Sequence, residues 1–247
     1  MSRWQLIGLA LGAYALGLVV TAPASLIDSG LEQATEGRLR LTDTHGTLWS
    51  GTGQLEMRDR MHRTAVAKSI AWRVLPHYFL RGQLRGEVVL DQAAKPFPVT
   101  ISPSQIEVAD ADINLPAAAL GLGEPKLAPL GLTGDVLLHV ARLALGRSAI
   151  EGNATLQWRG AGSAFTRVSP LGDYELRLEG EGTTVRASLR TLQGPLQLDG
   201  QGSWRSGAKP VFLGTARIEP EHRQQLAPLM RMIAVERGEG NFELQLK

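Results

Sequence analysis

Along most of the chain, apolar and polar side chains alternate with period two. Tyr174, Leu176 and Leu178 alternate with Glu175, Arg177 and Glu179. Ala154, Leu156 and Trp158 alternate with Asn153, Thr155 and Gln157, and Leu196 and Leu198 with Gln197 and Asp199. The last residues repeat the pattern, with Phe242, Leu244 and Leu246 set against Glu243, Gln245 and Lys247. Such alternation predicts strands with one apolar and one wet face. Glycines punctuate these runs, at Gly46, Gly51 and Gly53, at Gly82 and Gly86, and then at Gly180, Gly182, Gly194, Gly200 and Gly202. Turn signals this frequent predict a long antiparallel meander of about a dozen strands.

Helical signals are few. Pro76–Arg81 reads as a single turn between strands, and Pro116–Gly121 has proline at the start and glycine at the stop. Pro220–Val235 is the one sizeable candidate, which Pro228 should cut or kink. The best internal break is 121–131, which would divide two similar β halves. A one-sided sheet of this length must cover its apolar face. It either curls into a barrel or sandwich, or stays a curved trough lined by apolar side chains.

The start of the chain differs. Trp4 to Ile27 contains no charged residue, with Arg3 before it and Asp28 and Glu32 after it. A helix over this stretch is long enough for the roughly 30 Å hydrocarbon core. The expected layout is a cytoplasmic end at 1–3, a transmembrane anchor at 4–24 and an exported β-rich domain at 25–247. The rival reading is a cleaved signal peptide, since Ala22 and Ala24 form an A-x-A pattern before Ser25. Ser25–Glu36 continues the helix for a turn or two.

Composition removes several classes of chemistry. The 247 residues include no cysteine, so disulfides, thiolate metal sites and a cysteine nucleophile are excluded. A net charge of +2 gives no basic tail for nucleic acid. His45, His62, His77, His139 and His222 form no metal-binding pattern, and no phosphate loop or nucleophile elbow is present. Asp110 and Asp112 read as a turn before the proline-started helix, with weak calcium binding as the rival. Arg58, Arg60 and Arg63 read as a solvated hairpin tip. No catalytic, cofactor or metal residues are expected.

The order and spacing of several short motifs carry a resemblance. Gly46-Thr47-Leu48-Trp49-Ser50-Gly51 is followed by Trp72, Pro76 and Gly82. Leu171-Gly172-Asp173-Tyr174 is followed by Gly194-Pro195-Leu196 and Gly202-Ser203-Trp204, then by a helix with Leu226-Ala-Pro-Leu229. The chain resembles the protein N family of the bacterial type II secretion system, over nearly its whole length including the anchor. The resemblance implies a single-pass inner-membrane protein with its bulk in the periplasm. It implies a non-enzymatic accessory role, with other inner-membrane secretion subunits and the outer-membrane secretin as partners. It also marks Gly46, Trp49, Gly51, Trp72, Pro76, Gly172, Asp173, Tyr174, Gly194, Pro195, Gly202 and Trp204 as fold determinants.

The fold class expected is therefore mainly β, with an N-terminal transmembrane helix and a long, curved, mostly antiparallel sheet. Two functions lead, with an exported enzyme whose site residues meet only in space as a third and weaker reading. One is a periplasmic platform that binds partners at free sheet edges. The other is a lipid-binding or lipid-transfer trough that uses the apolar face.

Overall fold

The computed structural model describes residues 3–58, 64–91, 95–123, 127–205, 208, 211–238 and 241–246. It is mainly β and divides into two compact units, Met1–Pro96 and Phe97–Lys247. Residues 121–131 lie inside the second unit.

The first unit begins with two helices, α1 (Arg3–Val20) and α2 (Ser25–Ala34). At about 1.5 Å per residue, the 18 residues of α1 rise roughly 27 Å. Among the described residues, no helix is long and apolar enough to cross a membrane. The expected continuation of one helix to Glu36 is corrected here, because the chain breaks between α1 and α2 at Pro23. Proline disfavours helical geometry in the residue before it. The carbonyl of Ala22 is instead taken by the amide of Leu48 at 2.8 Å, and Pro23 forms an isolated bridge with Thr47.

Four strands follow: β1 (Leu39–Gly46), β2 (Ser50–Arg58), β3 (Thr64–Leu75) and β4 (Leu84–Leu90). Each pairs antiparallel with the next. The alternation sets cross-strand rows on the apolar face, with Gly51, Trp72 and Val88 in one row and Gly53, Ile70 and Leu90 in the next. Pro76–Arg81 forms the expected single turn between β3 and β4. Gly82 ends it with φ 66°, a left-handed angle that suits glycine.

The second unit contains β5 (Phe97–Ile101), β6 (Gln105–Pro116), β7 (Leu132–Gly146) and β8 (Ile150–Ser163). It continues with β9 (Gly172–Glu181), β10 (Thr184–Gln193), β11 (Leu196–Arg205) and β12 (Val211–Ile218). The last two are β13 (Val235–Gly238) and β14 (Asn241–Leu246). Spatial order follows chain order to β12, then β14 and finally β13 at the edge. The order does not close on itself among the described residues.

Register carries the period-two pattern across the whole unit. Ile113, Leu138, Leu156, Leu176 and Leu189 form one apolar row across five strands. Ala111, Val140, Ala154, Leu178 and Ala187 form the next. The opposite face carries Asp112, His139, Thr155, Arg177, Ser188 and Gln201 in a polar row. Asp110 is not in a turn, which corrects the sequence expectation. It lies inside β6 with φ 50°, between Ala109 and Ala111, which pair with Arg142 and Val140, and Asp112 continues the strand.

Two connections cover one end of the apolar face. The link from β6 to β7 contains the one-turn segments Ala117–Ala119 and Ala128–Leu130 and the short helix α3 (Leu120–Gly123). The link from β12 to β13 contains α4 (Arg223–Ile233). In α4, Leu226, Leu229 and Met230 fall at i, i+3 and i+4 and are buried against Tyr174, Leu196, Ile218 and Phe242. Burying each such side chain stabilises by about 1.5–3 kcal/mol. That burial holds the helix together through Pro228, so the expected cut there does not occur: α4 runs on to Ile233.

Candidate functional site

The marked residues form two clusters, one in each unit. In the first unit, the turn between β1 and β2 folds back over its own strands. Gly46 has φ 96°, and a Cβ there would meet the Ser50 carbonyl oxygen at 2.5 Å. A Cβ on Gly51 would meet the Trp72 ring at 2.5 Å, so only glycine lets that indole lie across β2. The Trp72 indole N–H donates to the Thr47 carbonyl at 3.2 Å. Trp49 points the other way: its indole N–H donates to the carbonyl of Val19, in the last turn of α1, at 2.8 Å. Its ring meets Phe79 edge-on, with centroids 5.6 Å apart. Pro76 opens the turn that carries Phe79. Gly46, Trp49, Gly51 and Trp72 therefore meet, with Pro76 contributing through Phe79.

Charged groups reinforce the same joint. The Asp28 carboxylate on α2 accepts two hydrogen bonds from the Arg40 guanidinium on β1, at 3.0 and 2.9 Å. It also accepts the Leu41 amide at 2.8 Å, and Glu32 takes the remaining arm of Arg40 at 2.8 Å. The Arg40 hydrogen bond chiefly, with the Leu41 amide and nearby cationic charge, outweighs burial and holds the Asp28 carboxyl below its usual value.

In the second unit, Gly172, Asp173, Tyr174, Gly194 and Pro195 come together where β9 starts and β10 turns into β11. Tyr174 is 3% exposed. Its hydroxyl lies 2.9 Å from the Leu196 carbonyl and 3.2 Å from that of Leu171, donating between them. Burial, and then the charge of Asp173, push this phenol well above its usual value. Asp173 accepts the Gly160 amide at 2.7 Å and the Gln193 side-chain amide at 2.6 Å. Gly194 has φ 127°, and a Cβ on it would lie 2.3 Å from the Gly172 Cα. The Pro195 carbonyl accepts the Glu219 amide at 3.0 Å and so ties the end of β12 to this turn.

Gly202 and Trp204 are not part of that cluster. Both lie further along β11, where Gly202 sits under the Phe212 ring and Trp204 faces Val185 across the strand pair. His139 pairs with Asp112 at 2.6 Å on the polar face, where both are exposed. Among the described residues, no group of three or more His, Asp or Glu is placed to hold a metal ion. Arg58 is paired with Glu56, whereas Arg60 and Arg63 lie outside the described residues.

Both clusters are made of hydrogen-bonded turns, stacked rings and glycine contacts, an arrangement suited to holding strands and helices in register. Against known proteins, the family model for Type II secretion system (T2SS), protein N matches residues 37–245. The chain belongs to the type II secretion system protein N family. It is thus a component of the type II secretion apparatus. No curated protein and no solved structure matches the chain. All twelve marked residues fall inside the family match, while α1 and α2 precede it.

Three features of this family member escape the sequence reading. Glu175 is buried on the otherwise wet face. It accepts from Gln157 at 3.2 Å and from Arg177 at 2.8 Å, and it pairs with Arg190 at 2.6 Å. Burial raises its carboxyl, but the hydrogen bonds and the two cations outweigh it, and the group lies below its usual value. Trp158, whose ring is 5.9 Å from Tyr174, donates to the Thr133 carbonyl at 3.0 Å. The Asp28–Arg40 pair is the third. Apart from Arg177, two residues from Glu175, the main partners lie 12 or more positions apart, so the fold and not local sequence brings them together.

Proposed function

We propose that the chain is a non-enzymatic, inner-membrane-anchored accessory subunit of the type II secretion system. Its β-rich part acts in the periplasm as a platform for protein contacts during exoprotein export. Family membership carries this reading. The anchor is residues 4–24, most of them in α1. Its support is the outward display of Trp4, Ile7, Leu11, Tyr14 and Leu18, all more than half exposed. Contacts with other inner-membrane secretion subunits and the secretin use sheet edges, where backbone groups accept a partner strand. The edge strand β13 is the first candidate. The test is secretion in cells that lack the chain, complemented by wild type or by Glu236→Pro. The reading predicts that exoprotein stays in the periplasm without the chain. It predicts that Glu236→Pro, expressed at the wild-type level, fails to restore export. Normal export in the deletion strain overturns it.

A lipid-binding trough is the second reading, and one observation favours it. Ile113, Leu138, Leu156, Leu176 and Leu189 are only half-buried, although they form a continuous apolar row. The core cluster that includes α4 takes in Tyr174, Leu196, Ile218 and Phe242 and, of this row, packs against Leu189. Native mass spectrometry of the chain from Ser25 onward distinguishes the two. Phospholipid retained at a fixed stoichiometry supports the trough, and a lipid-free species supports the platform.

A further inference from the structure

The single turn Pro76–Arg81 projects beside the end of α1. Phe79 is 43% exposed while its ring edge meets Trp49, and Trp49 is hydrogen-bonded to Val19. Val19 and Val20 are themselves more than half exposed. A run of outward apolar and aromatic groups therefore passes from the end of the helix onto the β unit without a break.

The charge beside that run has one sign. No Asp or Glu occurs from residue 61 to residue 86, a stretch that includes His77, Arg81 and Arg85. The guanidinium groups of Arg81 and Arg85 lie 5.8 and 5.1 Å from the Tyr78 ring centre. Arg85 also donates to the Tyr78 hydroxyl at 3.2 Å. The first acid beyond the turn, Glu87, stands opposite Arg73 in the strand pair rather than opposite these arginines. Aromatic rings with an apolar body and a polar edge, next to cations that form no ion pair among the described residues, match the headgroup layer of a bilayer.

We infer that the Pro76–Arg81 turn, with Trp49 and Arg85, is a second membrane contact that rests in the headgroup layer of an anionic phospholipid bilayer. Trp49 and Phe79 lie at the boundary with the acyl chains, and Arg81 and Arg85 meet lipid phosphates. The inference rests on the reading of α1 as the anchor. It adds that the first β unit lies against the same bilayer instead of hanging free from a tether.

The absence of cysteine allows a single spin label at any chosen site. The full chain carrying a nitroxide at His77→Cys, and in a separate sample at Leu11→Cys, is reconstituted into two kinds of vesicle. One is phosphatidylcholine with phosphatidylglycerol and the other is phosphatidylcholine alone. Access of the label to a water-soluble nickel complex is read by electron paramagnetic resonance. The expected result is a loss of nickel access at residue 77 in the phosphatidylglycerol vesicles. That loss should be reversed by Arg81→Glu with Arg85→Glu, while the label at residue 11 stays in the acyl region. A label at 11 in the acyl region with full nickel access at 77 overturns the second contact and leaves the anchor standing. A label at 11 in water overturns the anchor reading and this inference with it. Nickel access at 77 that is lost only in native membranes containing other secretion subunits assigns the patch to a protein partner and also overturns the proposal.

Discussion

The indole N–H of Trp49 donates to the carbonyl of Val19 at 2.8 Å, across 30 residues of chain. That carbonyl lies in the last turn of α1, where helix carbonyls lack the usual i+4 partner, and it also accepts the Ala22 amide at 3.3 Å. The β1–β2 turn thus supplies a cap to the helix, and the Leu48 amide does the same for Ala22. Trp49→Phe keeps the ring that meets Phe79 but removes the donor. The expected loss is about 1 kcal/mol in the local closing of this joint. Hydrogen exchange at the amides of Leu48 and Ala24 should accelerate about fivefold. Unchanged exchange at both amides would show that the bond does not hold the joint.

Tyr174 gives the second unit a sensitivity to alkali. Its burial keeps the phenol protonated in the folded chain beyond the pH at which an unfolded tyrosine ionises, about 10. The folded state then holds a proton that the unfolded state releases. The contribution is complete below about pH 10 and is lost as pH rises above it. Tyr174→Phe should cost about 1–3 kcal/mol at neutral pH, since the Leu171 and Leu196 carbonyls lose a buried donor. It should also flatten the alkaline limb of the stability curve. Urea midpoints of the two proteins at neutral and alkaline pH test both points. Curves that stay parallel through the alkaline window would contradict the assignment.

Glu175 imposes the opposite dependence. Its carboxyl is held below the ordinary glutamate value, so its contribution is present above about pH 4.3, where the unfolded group ionises. The contribution is lost as pH falls through the depressed folded value. Glu175→Gln should cost about 1–3 kcal/mol at neutral pH, because Arg177 and Arg190 lose their anionic partner. The deficit should shrink to nothing in acid. Thermal midpoints of both proteins across an acid series measure it, and a gap that is constant with pH would rule the mechanism out.

Alternation alone locates β8, β9 and β14, because a period of two in Asn153–Trp158, Tyr174–Glu179 and Phe242–Leu246 has no helical reading. It also assigns the faces: Leu156 and Leu176 meet across the strand pair, as their shared apolar character requires. What stays hidden depends on register. Asp110 looks like a turn residue because aspartate tolerates left-handed angles, yet a position in the middle of β6 uses the same property. Pro228 looks like a helix stop, because propensity does not register the burial of Leu226 and Met230 on either side of it. Trp49 looks like one more sheet-packing ring, and only the fold places its N–H at the end of α1. Gly194 reads as a turn signal and Gly172 as part of a separate motif, although the two are a single contact.

That contact yields the sharpest substitution test. Gly194 combines φ 127° with a site where a Cβ would fall 2.3 Å from the Gly172 Cα and 2.8 Å from the Leu171 carbonyl oxygen. Both neighbours are backbone atoms, so no side chain can swing aside. Gly194→Ala should therefore cost more than the usual strain of a non-glycine residue in this region, about 1–3 kcal/mol. The backbone of β9 must also shift, which moves the Tyr174 hydroxyl from the Leu196 carbonyl. Gly182→Ala is the control. Gly182 also has a left-handed φ, 68°, but nothing lies within 4 Å of its Cβ position. Alanine there should bring the angular strain without the clash. Denaturation of both variants separates the two costs. Equal losses would mean that the approach of Gly194 to Gly172 adds nothing to the fold.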